Sequence, residues 1–160
     1  MLTSKQPWKC QRTNKTYVVD TGLEDSWLEA LNGFDHLYLH SVCEGHLDGT
    51  RWASRKSMPV LRLSIEPSLF ERLQAEQRSP EPQIMALFTA SALRETTNIQ
   101  HGWSDILPND YSIHLDAKQD RASDDMEPWV REWFSDAIVF LRHVDCHLSM
   151  EMKRVSGAQV

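Results

Sequence analysis

The run His40-Ser41-Val42-Cys43-Glu44-Gly45-His46 places a thiol, a carboxylate and two imidazoles where an apolar segment gives way to a polar one. Two kinds of chemistry suit these residue types. In the first, His40, Cys43 and His46 supply the nitrogen and sulfur ligands that zinc prefers, and His36, His101, His114 or Glu44 completes the shell. Side chains three apart on a strand point to opposite faces, so His40 and Cys43 converge only if the chain bends near Val42. Gly45 favours a bend after Cys43 over one before it.

In the second, Cys43 is a catalytic nucleophile whose thiolate is favoured by His46 or by His114. Asp116 shares a strand face with His114 and is placed to orient it. A third, non-chemical reading makes Cys43 a small buried hydrophobe, with Glu44 and His46 in a loop and Gly45 permitting a tight turn. His143, Cys146 and His147 carry the same ambiguity. Residues 143 and 147 are neighbours on one helix face, as ligands often are, but His near a helix C-terminus is also favoured by the dipole.

These groups must be positioned by secondary structure. Tyr17 to Asp20 reads as a short strand, followed by a helix over 22–32 in which Leu23, Trp27 and Leu31 recur every four residues. Thr21 and Glu24 are spaced as a reciprocal cap, and Asn32-Gly33 marks the end. Phe34 to Cys43 reads as a second strand and Ser57 to Glu66 as a third. Between them Gly45 to Lys56 is a polar loop around Trp52. Pro67 opens a second helix, with Ser68 and Glu71 spaced as a second capping pair.

Ser79-Pro80-Glu81-Pro82 separates that helix from Ile84 to Leu93, which is read as a strand although its Ala and Met favour helix. Tyr111 to Ala117 alternates strictly, with Tyr111, Ile113 and Leu115 facing inward. A long final helix opens at Asp124-Asp125-Met126-Glu127-Pro128. Its apolar stripe is Trp129, Trp133, Ala137, Leu141, Val144 and Leu148, joined by Phe134 and Ile138. The order β-α-β-β-α-β followed by β-α predicts an α+β fold: an antiparallel or mixed sheet of about five strands with three helices. It is a ferredoxin-like split βαβ arrangement with an added strand and a C-terminal helix.

The chain of 160 residues is 41% hydrophobic with six Trp, enough to bury one core. Residues 17–160 are expected to form a single domain behind a basic N-terminal segment, 1–16, that holds Lys5, Lys9, Arg12 and Lys15 and no acid. Without those four, 13 basic groups face 23 acidic ones, so the net charge of −6 becomes −10. Such a body suits a basic protein partner and lacks the basic stripe expected of a nucleic-acid binder. The three Cys cannot all pair within one chain, and no run is long and apolar enough to span a bilayer. A soluble cytoplasmic protein is expected.

Val19-Asp20-Thr21-Gly22-Leu23, Glu29-Ala30-Leu31-Asn32-Gly33-Phe34 and Cys43-Glu44-Gly45-His46 together resemble a pattern in small bacterial proteins without an assigned activity. There a strand and a helix ending in Leu-Asn lead to a strand finishing in Ser-Cys-Glu-Gly-His. The resemblance spans residues 19–46 and implies architecture, not activity. Val42 stands where that pattern has Ser, and Ser41 comes one position early. A remoter similarity is to the tRNA wybutosine-synthesising methyltransferases, whose Ser-Ser-Cys-Ser-Gly-Arg motif would align its Cys, Gly and Arg with Cys43, Gly45 and His46.

Two function classes follow. One is a binding or inhibitor module, of the bacterial immunity or anti-defence type, acting through its acidic surface. The other is a small enzyme or metal- or ligand-binding domain centred on Cys43-Glu44-Gly45-His46. The absence of a complete catalytic motif in the sequence puts binding ahead.

Overall fold

The structure, a computed structural model, describes residues 5–9, 16–20, 25–43, 59–103, 111–118 and 127–157. Six strands and four helices are described: β1 (Lys5–Lys9), β2 (Thr16–Asp20), α1 (Asp25–Asn32), β3 (Leu37–Cys43), β4 (Val60–Ile65), α2 (Pro67–Ala75), α3 (Glu81–Thr89), β5 (Thr97–Trp103), β6 (Tyr111–Ala117) and α4 (Glu127–Gly157). A short 3-10 turn, Ala92–Glu95, precedes β5. Strands β3-β4-β6-β5 form an antiparallel sheet in that spatial order, and β1 and β2 pair separately. Part of the basic N-terminal segment is thus a strand, with Lys5 opposite Asp20 and Lys9 opposite Thr16.

Alternation builds the sheet. Tyr111, Ile113, Leu115 and Ala117 of β6 are buried while Ser112, His114 and Asp116 are half-buried, as the strict period of two requires. Leu61 and Leu63 of β4, and Leu37 and Leu39 of β3, take the same inward side. Helices close over them. Trp27, Leu28 and Leu31 come from α1, Leu69 and Leu73 from α2, Ile84 and Phe88 from α3, and the longest contribution, Trp133 to Leu148, from α4. The Trp27 and Phe134 rings stack with centroids 4.6 Å apart, and Trp133 meets Phe134 edge-on at 5.2 Å.

Helix ends follow local chemistry. Asn32 closes α1, and a Cβ on Gly33 would lie 3.1 Å from the Glu29 carbonyl, a tight approach that favours glycine there. At the start of α2 the expected Ser68 cap is not used. Glu66 is the N-cap, without a side-chain cap bond, and Ser68 Oγ instead donates to Glu66 Oε1 at 2.8 Å. Gln77, at φ 58°, turns the chain out of α2 as the Arg78 amide bonds back to the Leu73 carbonyl at 2.8 Å.

The strand expected over Ile84–Leu93 is a helix followed by the 3-10 turn. Pro82 sits in the first turn, where its missing N–H costs nothing, and Ile84 and Phe88 are buried four residues apart. The fourth strand comes instead from Thr97–Trp103. The class is α+β with a C-terminal helix, as expected, but the ferredoxin-like order of two βαβ halves is replaced. Helices lie between β4 and β5 alone within the main sheet, and β6 then inserts between those two strands. Among the described residues no helix is long and apolar enough to cross a membrane.

Candidate functional site

On the face of the sheet away from the helical core, strand register assembles two polar rows. Ser41 pairs with Arg62, Arg62 with His114 and His114 with Gln100. One step along, Cys43 pairs with Val60, Val60 with Asp116 and Asp116 with Asn98. The first row depends on a β-bulge. Leu39 pairs with Leu63 but Ser41 with Arg62, so His40 is an extra residue and the alternation changes phase there. The strand irregularity that convergence of His40 and Cys43 demanded near Val42 therefore lies two residues earlier, and the register after it gives positions 41 and 43 to these rows.

His40 is at the bulge and Cys43 is the last residue of β3; Glu44, Gly45 and His46 lie outside the described residues. His114 and Asp116 do come together. Nε2 of His114 lies 3.0 Å from Asp116 Oδ1, with the two side chains 35% and 37% exposed. The angle does not make a hydrogen bond, so this nitrogen has no hydrogen-bond partner among the described residues. The contact is an ion pair when His114 is protonated. Cys43 is separated from Asp116 by the whole of β4, which at about 4.8 Å per strand puts their backbones roughly 9–10 Å apart. A thiolate and base in direct contact are not what this backbone register supplies.

The described atoms of these rows suit recognition. Arg62 offers a planar fork of donors, Gln100 and Asn98 offer both donors and acceptors, and Asp116 offers acceptors alone. On the same face, one pair further along, Ser64 is buried with its hydroxyl unpartnered among the described residues, so that end of the face is covered. The strands are held rigidly by the core on their other side, which fixes the spacing of the polar groups.

Two further polar clusters were not foreseen as units. At the mouth of β3, the Asp145 carboxylate on α4 accepts from the Asp35 amide at 3.0 Å and the His36 amide at 2.7 Å. His36 Nδ1 meets Glu66 Oε2 at 2.9 Å, with His36 15% exposed. This fastens the start of β3 to the end of β4 and to α4. On the helical side of β5, His101 Nδ1 lies 2.6 Å from the Tyr111 hydroxyl, and its Nε2 is 3.8 Å from Glu81 Oε1. Burial, and secondarily the Glu81 charge, push the Tyr111 phenol up to about 12. Tyr111 is therefore a neutral hydrogen-bonding group.

His36 thus contacts a carboxylate and His101 a phenol. Among the described residues no three His, Cys, Asp or Glu side chains converge as a metal site. His143 and Cys146 are exposed on α4, and Cys146 is a free thiol. His147 lines a concavity of about 20 Å³ beside Ser79 and Glu151, room for roughly one water. Spacing alone could not have revealed these partnerships, because each joins elements remote in sequence. Comparison with protein-family models, curated proteins and solved structures finds no match to this chain.

Proposed function

We propose that this protein is a small cytoplasmic binding module, of the immunity or anti-defence type, that recognises a protein partner through the exposed groups on the polar face of its four-stranded sheet. The observation carrying this reading is the in-register polar face, with Arg62, His114 and Gln100 in one row and Asp116 and Asn98 in the next. Their hydrogen-bonding groups sit on a rigid, regularly spaced platform, so binding need not pay to order them. The net charge of −6 steers a basic partner towards the molecule, while the mixed face supplies register and specificity.

The test is affinity capture with the whole protein as bait, compared with Arg62→Ala/Gln100→Ala and with Glu71→Ala on the exposed side of α2. A basic partner retained by the wild type and by the α2 variant, lost from the sheet variant and weakened by salt, is the expected result. No partner, or one held equally by all three baits, overturns the reading.

The second reading keeps a small enzyme or zinc site at Cys43-Glu44-Gly45-His46, extended by His40 and His114. It is favoured by the His114–Asp116 approach of 3.0 Å and by the arrival of Cys43 at the row containing Asp116. Zinc that co-purifies stoichiometrically and disappears in Cys43→Ser and His46→Ala, with the fold retained, would replace the binding reading by this one.

A further inference from the structure

The buried stripe of α4 has a second, outward counterpart. Positions 132, 136, 139, 143, 146, 150 and 153 recur at alternating intervals of four and three, the spacing with which two helices mesh along a seam. None of these side chains is buried. Val139 at 49% and Met150 at 63% are the exposed large hydrophobic residues among those described, and both fall on this stripe. Cys146, between them, is exposed as well. A helix face that only meets water has no reason to gather its apolar residues along one line.

Charge selects what lies against it. The stripe is acidic at one end, with Glu132 and Asp136, and basic at the other, with Lys153. The helix dipole does not explain Asp136, which is well beyond the first turn where that field acts. Burial and the neighbouring Glu132 charge raise the Asp136 carboxyl, so the acidic end is repulsive and gains from an opposed cation. Arg154 is already paired with Glu76 and Glu151, leaving Lys153 as the cation of the stripe itself.

Reversed end to end about a point between His143 and Cys146, the stripe complements itself. Position 136 then faces 153, 139 faces 150 and 143 faces 146. Asp136 meets Lys153, Val139 meets Met150, and the apolar middle is covered. A parallel arrangement would instead oppose Glu132 to Glu132 and Lys153 to Lys153. From this self-complementarity we infer that α4 is the seam of a two-fold dimer, in which the α4 helices of two copies of this chain pack antiparallel. The seam lies on the outer side of the helical layer and does not use the polar faces of the two sheets.

The stripe from 132 to 153, 22 residues, spans about 32 Å at 1.5 Å per residue. That is a small interface, and the dimer is expected to dissociate in the range of about 10–100 µM. Sedimentation equilibrium of the full chain from roughly 1 to 500 µM reads it directly. Asp136→Lys and Lys153→Asp, each of which opposes like charges twice per dimer, should each weaken association by about tenfold or more. The double variant exchanges the charges and should return to within about threefold of the wild type. Val139→Cys/Met150→Cys should form an oxidised dimer whose linked peptides join position 139 to position 150. A monomer at every concentration, a double charge variant no better than the singles, or an oxidised bridge between the two positions 139 overturns the proposal.

Discussion

Replacing Thr97 by valine removes one hydroxyl from the interior and tests how α4 is fastened to the edge of the sheet. The Trp133 indole N–H donates to Thr97 Oγ1 at 2.9 Å, and the two residues are 2% and 3% exposed. Valine fills nearly the same volume but cannot accept, so the indole N–H is left buried without a partner. Orphaning such a donor costs about 1–3 kcal/mol. With a urea slope of about 2 kcal/mol/M, a cost near the middle of that range lowers the unfolding midpoint by about 1 M. Thr96 is not orphaned by the change, because its hydroxyl also reaches the Leu93 carbonyl at 3.4 Å.

The discriminating measurement is a double-mutant cycle. Trp133→Phe destabilises by loss of the same bond and of packed ring area, but in that background Thr97→Val strands no donor and should cost less than about 0.5 kcal/mol. A coupling energy of about 1–2 kcal/mol is therefore expected from urea titrations of the four proteins. Equal costs for Thr97→Val in both backgrounds would refute the reasoning, since the loss would then come from packing around Thr97 and not from the bond.

Two further outcomes can be checked alongside. Asp145→Ala strips the acceptor from the Asp35 and His36 amides and should cost about 1–2 kcal/mol, lowering Tm by roughly 2–8 °C in a thermal melt; Asp145→Asn, which keeps one acceptor, should lose less. Tyr111 ionises at about 12 in the folded chain against 10.0 for the ordinary group, so its stabilisation is complete below pH 10 and is lost as pH rises from 10 to about 12. Ultraviolet titration should show one late tyrosine that vanishes in Tyr111→Phe, and a titration in which every tyrosine ionises near 10 would contradict the buried assignment.

How far the fold could be read depended on whether local pattern and burial agreed. In β6 each inward residue is apolar and each outward one polar, and in α4 the stripe from Trp133 to Leu148 keeps its period over four turns, so both were legible. Residues 84–93 mix Ile, Met, Leu and Phe without a clean period because α3 is short and flanked by other helices, with Met85 and Leu87 also partly buried. The opposite difficulty hid β5. Thr97, Ile99 and His101 form its inward side, and only one of them is aliphatic. Thr97 is buried there because Trp133 satisfies its hydroxyl, a compensation that no local window contains.

The candidate site was legible in its parts but not in its assembly. His114 and Asp116 share a strand face by simple alternation, and they are in contact. That Arg62, Gln100 and Asn98 complete the rows depends on strand order and register, and the phase of β3 depends on the bulge at His40, which nothing in the residues around it announces.

The place of β6 in the sheet also orders the events of folding. It is the last of the described strands, yet it stands between β4 and β5, which touch no described strand in common except it. An emerging chain that has reached Trp103 holds β5 with no described strand to pair with, and pairing can start only when Tyr111, the partner of Trp103, is available. The sheet therefore closes late, when the β5–β6 hairpin pairs along β4, and α4 must follow to cover it. Non-local closure of this kind is slow. Before it happens, β4 and β5 both expose free backbone groups, so this nascent form is the one most prone to associate wrongly.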